Sequence, residues 1–222
     1  MKGVKKPKLV EKEDFYDEEE IASLFEALDK VSDLWRIMIK LALTMGMRRG
    51  ELLRLEWSHI NFEEKTINIK QSLSKTIDSR PVIKEPKTKK SVRSISMPES
   101  VSIELKQYQT LQRDNKSQVG SDWTESEFDF VFCDPYGQAL YYTSPTMWWN
   151  RFIKRNNLRK IRLHDILHTH VTMAISAKHH DATITKRMGW STSRMIDRYG
   201  HLIKSADEAV ADTFEQLRKK SK

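Results

Sequence analysis

A single cysteine, Cys133, in 222 residues excludes an internal disulfide framework and suits a reducing compartment such as the cytoplasm. No apolar run approaches the ~20 residues of a membrane-spanning helix, so no membrane partner is expected. Met1 is followed by Lys2 and Gly3 rather than a hydrophobic stretch, so no secretory signal is expected either. No internal repeat is visible, which leaves one cored domain, or at most two small ones, for a chain of this length. Charge, by contrast, is abundant. Charged residues make up 32% of the chain, and 39 Lys and Arg outweigh 31 Asp and Glu for a formal net charge of +8. A polyanionic partner is favoured, since cations that neutralise phosphates release counterions; the charge alone selects none.

Residues 1–13 are Lys-rich and without apolar periodicity, and read as a basic linker or arm. Asp17 and Glu20 then form a capping box ahead of Ile21, Leu24, Phe25 and Leu28 at helical spacing. A second helix is predicted over 33–45, ended by Gly46, and a short third over 49–57. Period-two alternation at 66–70 and 92–97, with Arg80-Pro-Val-Ile between them, predicts a small three-stranded antiparallel sheet. Helices return over 99–115, 144–157, 164–177, 181–188 and 193–199. A last one is capped by Ser205, with Ala206, Val210, Phe214 and Leu217 as its stripe. The fold class is mainly α with one small sheet inserted after the third helix.

Three segments carry the chemistry-bearing residues. Residues 44–57, TMGMRRGELLRLEW, place Glu51 one helical turn after Arg48. Residues 163–170 read LHDILHTH, and residues 186–202 read KRMGWSTSRMIDRYGHL. A fourth, basic run, EPKTKKSVRSISMP, lies in the sheet region. In order and content these resemble the catalytic domain of the tyrosine site-specific recombinases, the phage-type integrase family. The resemblance spans roughly Asp17 to Leu202.

That resemblance implies a DNA strand transferase that cleaves and rejoins DNA through a 3′-phosphotyrosine, with no ATP, metal or other cofactor. Tyr199 would be the nucleophile, nine residues after Trp190. Trp190 would donate its indole N–H to a phosphate oxygen where most members use His. Arg48 would clamp phosphate oxygens, with Arg49 the alternative; the register with Gly46 and Glu51 favours Arg48, which Glu51 would orient. Lys87 is the candidate general acid, Lys89 its runner-up and Lys90 third. His164 opens the middle motif, and His168 and His201 support the site. The family pattern His-x-x-Arg puts a second catalytic arginine where this chain has Leu167. Losing one such charge-assisted donor costs on the order of a hundred- to a thousandfold in rate. Arg162, Arg187 and Arg194 lie nearby without the spacing to replace it simply.

The partner implied is double-stranded DNA, contacted by Lys87, Lys89, Lys90 and Arg93. Self-association into a tetrameric synapse is expected through the helix at 205–218. A phage or other mobile element is the expected source. Residues 14–222 would form the catalytic domain, and the family's N-terminal core-binding domain has no counterpart. Two alternatives stand beside this reading. Leu167 suits a catalytically impaired DNA-binding relative. His164 and His168 form His-x-x-x-His, which invites a zinc hydrolase, but Asp165 stands where such an enzyme needs Glu, and no third ligand is evident among His170, His179, His180 and His201.

Overall fold

The computed structural model describes residues 15–70, 72–77, 80–84 and 92–199, with backbone alone at 72–77 and 80–84 and at residue 198. Helix α1 (Glu18–Leu28) starts at the predicted capping box. The Asp17 carboxylate accepts from the Glu20 N–H at 2.9 Å, and the Glu20 carboxylate accepts from the Asp17 N–H at 2.9 Å. Helix α2 (Asp33–Met45) has the predicted bounds and buries Ile37, Met38, Leu41 and Met45. It stops at Gly46, whose φ of 64° lies in the left-handed region; a Cβ there would come within 2.8 Å of the His170 ring.

The third helix is shorter than predicted. α3 covers only Arg49–Leu52, followed by a 3₁₀ turn at Trp57–His59. The backbone between them pairs elsewhere: the Val131 N–H donates to Leu55 O at 2.8 Å, and the Trp57 N–H donates to Asp129 O at 3.0 Å. Those bonds compete with helix continuation for the same groups.

The three-stranded antiparallel sheet is present with a different membership. β1 (Ile60–Asn61), β2 (Thr66–Ile69) and β5 (Arg93–Ser96) lie in the order β1-β2-β5. The strand predicted around Arg80 is not between β2 and β5, since Ile67 faces Ile95 directly. It forms β4 (Arg80–Lys84) and pairs with β3 (Ser72–Ile77), which the sequence reading missed, as a separate hairpin. Only two residues separate β3 from β4, so the neighbour in sequence is the nearest partner.

The remaining helices are α4 (Glu99–Val119), α5 (Ser144–Arg155), α6 (Asp165–Ser176) and α7 (Asp181–Met188), then a 3₁₀ segment at Ser193–Tyr199. The helix predicted from Ser205 lies outside the described residues, as do Lys87, Lys89, Lys90 and His201. Among the described residues no helix is long and apolar enough to cross a membrane. The core divides in two. A large cluster joins α1, α2, α4, α5 and the sheet, whereas Leu167, Val171, Ile184, Met188, Ile196 and Tyr199 form a small one. α6 lies between them, giving Ile166 to the first and Leu167 and Val171 to the second.

Candidate active site

Glu51 is the hub of a buried ionic network. Its side chain is 4% exposed and accepts from the Arg48 N–H at 2.8 Å and Arg48 Nη1 at 3.0 Å. Arg93 approaches the same carboxylate with Nη1 at 2.8 Å and Nη2 at 3.0 Å. Both arginines also reach the end of α7: Arg48 Nη2 donates to Met188 O at 2.9 Å, and Arg93 Nε donates to Arg187 O at 2.7 Å. Helix C-terminal carbonyls have no intrahelical partner, and cations suit their partial negative charge. Burial alone would raise the Glu51 carboxyl. The hydrogen bond and charge of Arg93, then the charge of Arg48, hold it below the usual carboxylate range instead.

Arg93, expected among the DNA contacts, is therefore turned inward and buried. The alternation of β5 explains this, because Arg93 shares its face with Ile95 and Met97. That face was readable in the sequence; the carboxylate waiting on α3 was not. Arg93 also packs on Gly189, where a Cβ would lie 3.0 Å from its Cδ, and Gly189 takes the left-handed conformation that ends α7.

Arg48 borders a cleft of about 430 Å³. Arg49, Tyr142, Arg162, His164 and Leu167 share its lining. Arg49 is held over the Tyr142 ring at 3.9 Å and donates to Thr146 Oγ1 at 2.5 Å. Burial, then the neighbouring His168, lowers the His164 pKa; Asp165 opposes, and Arg162 and Arg48 add to the lowering. At neutral pH the ring is thus an uncharged donor–acceptor beside two guanidinium groups. Such a cleft can hold an anion and move a proton within it.

Tyr199 lies beyond Leu167. It is 2% exposed, within the small cluster, and its hydroxyl is hydrogen-bonded to His168 Nδ1 at 2.5 Å. His168 in turn meets the His164 ring edge to face, with centroids 5.5 Å apart. His164, His168 and Tyr199 thus form a contiguous row of side chains from the cleft into the interior, joined by a ring contact and then by a hydrogen bond. Leu167 belongs to both regions, lining the cleft and packing in the cluster. Trp190 is half-buried against that cluster. Among the described residues, which leave out His201, no three His, Cys, Asp or Glu side chains gather as metal ligands do.

Comparison with known proteins gives one answer. The profile of the phage integrase family matches residues 14–206. The ICEBs1 integrase of Bacillus subtilis (strain 168) is 27% identical over 204 residues, covering 91% of this chain and 54% of its own length. A XerC-like tyrosine recombinase of Caldanaerobacter subterraneus subsp. tengcongensis is 26% identical over 225 residues, covering 97% of this chain and 57% of its own. The chain thus spans about half the length of these curated relatives. Among solved structures, the Tn1549 transposon integrase in complex with transposon right end DNA has a TM-score of 0.76 at 19% identity, covering 91% of this chain and 67% of that one. XerA recombinase follows at 0.67 and 18%, covering 92% and 65%. The motif order, the sheet placed after the third helix and this agreement converge: the chain belongs to the phage integrase family.

Proposed function

We propose that residues 14–222 form the strand-transfer domain of a site-specific recombinase of a mobile element, with residues 1–13 as a basic linker, acting on double-stranded DNA in the cytoplasm. The observation that carries this reading is that the His164–His168 pair places Tyr199, hydrogen-bonded to His168, next to the arginine-lined cleft. The Tyr199 oxygen attacks a DNA phosphorus and the bond to the 5′ oxygen breaks, leaving a 3′-phosphotyrosine. The phenol proton passes to His168, and the departing 5′ oxygen takes one from Lys87, or from Lys89. Arg48 clamps the phosphoryl oxygens, with Glu51 positioning it, and Trp190 contributes an N–H. Partner protomers assemble on DNA through the segment at 205–218. The Tn1549 integrase bound to transposon DNA supports the choice of partner.

A second reading, DNA binding with impaired cleavage, is favoured by Leu167, an apolar wall in place of a guanidinium. Covalent protein–DNA adduct on negatively supercoiled plasmid, resolved under denaturing conditions, separates the two. The unaltered protein is expected to form an adduct that Tyr199→Phe abolishes, and Leu167→Arg to form it faster. Adduct from Leu167→Arg alone would establish the impaired reading. Adduct persisting in Tyr199→Phe would remove Tyr199 from its role.

A further inference from the structure

Arg162 repeats, ahead of α6, the arrangement that Arg48 has ahead of α3. The Arg162 N–H donates to Asp165 Oδ2 at 2.7 Å, and Nε lies 3.0 and 3.1 Å from the two carboxylate oxygens, with Nη2 2.9 Å from Oδ1. As with Arg48 and Glu51, one carboxylate three residues on takes both the backbone and the side chain of its arginine. Asp165 is 1% exposed, so its position is fixed by the interior, while the Arg162 side chain is 59% exposed. Arg48 is 32% exposed, and both arginines line the one cleft with His164.

The pairing compensates the charge of the buried Asp165 carboxylate and leaves the guanidinium at the surface. Its effect is to hold a guanidinium in one pose, which reduces the ordering cost when an anion arrives. A guanidinium presents its N–H donors in a planar fork that matches phosphate oxygens. Leu167, on the same wall, has none.

We infer that Arg162 is the second phosphate clamp of the cleft, gripping with Arg48 the same phosphodiester group and supplying the charge that position 167 lacks. As a step in DNA cleavage, this rests on the strand-transfer reading above; as an anion site it does not. The test therefore has two arms on the full chain. Inorganic phosphate, titrated while the arginine Nε–H signals are followed by NMR, is expected to shift Arg48 and Arg162 together with one dissociation constant. Arg162→Gln is expected to weaken that binding by roughly tenfold or more, the size of a charge-assisted hydrogen bond. Arg162→Lys is expected to fall between, since it keeps the charge but not the fork. Arg151→Gln, on the exposed face of α5, is expected to change nothing.

In the second arm, Arg162→Gln is expected to slow adduct formation on supercoiled plasmid by about a hundredfold or more, with much less effect on DNA binding. An Arg162 signal that stays still while Arg48 shifts, or an adduct formed equally fast by Arg162→Gln, overturns the clamp and leaves the strand-transfer reading standing. Shared phosphate binding with no adduct from the unaltered protein upholds the clamp and overturns that reading.

Discussion

Glu51 answers to two arginines, and its substitution separates their roles from its own. A buried pair broken on one side costs about 3–5 kcal/mol, because the remaining charge stays desolvated. Glu51→Gln is expected to lose stability of that order at pH 7, measured by urea unfolding. The sign with pH follows from the depressed carboxyl: the folded state binds the proton less readily than the unfolded chain. The stabilisation is full above the unfolded carboxylate value and is lost as pH falls through the lower, folded one. The gap between Glu51→Gln and the unaltered protein is therefore expected to narrow in acid. A gap independent of pH would show that Glu51 stabilises by shape rather than by charge. Leu167 presents the opposite case at this scale. At 6% exposure it packs as an ordinary core residue, yet the same side chain is one wall of a cationic cleft. The sequence marks it only as a departure from a pattern; its position between the cleft and Tyr199 explains why an apolar residue is tolerated there.

Elements differ in how far their own residues specify them. The start of α1 and both ends of α2 were legible to the residue; a capping box at Asp17 and Glu20 opens the first, and a left-handed glycine at Gly46 closes the second. α3 was overestimated because the groups that terminate it belong to residues 129–131, far along the chain. The sheet was legible as alternation and not as pairing, since strand partners are a nonlocal choice. Arg48, Glu51, His164 and Tyr199 were singled out by resemblance to the family's motifs; Arg93 was expected at the DNA and Arg162 was set aside, since the surroundings of both depend on which carboxylate faces them. The division of the core also has a consequence for individual elements. Among the described residues, α7 and the 193–199 segment rest on a cluster of six buried residues, and elements with few buried apolar contacts open more readily than the main core. Amide exchange in α7 and the 3₁₀ segment is expected to be at least tenfold faster than in α2, measured by hydrogen–deuterium exchange. Equal protection in both would mean that the two clusters open as one unit.

Across the whole molecule, the cleft is assembled from widely separated stretches of chain. Arg48 and Arg49 come from the α2–α3 junction, Arg162 and His164 from the entry to α6, and the carbonyl that steadies Arg48 from Met188, 140 positions away. The separation gives the site a history as well as a shape. During synthesis Arg48 exists long before the carbonyl that receives its Nη2, and Arg93 before the one that receives its Nε. A nascent chain therefore carries the arginines of the site without their final bearings, and acquires them only after α7 has emerged and docked. Trypsin should cut after Arg48 and Arg49 in ribosome-arrested chains until residues beyond Met188 are outside the ribosome, and then cease to do so. Protection at earlier arrest points would contradict that order. Maturation of the cleft is thus timed by the arrival of α7, which keeps an incomplete chain from presenting the cleft in its finished form.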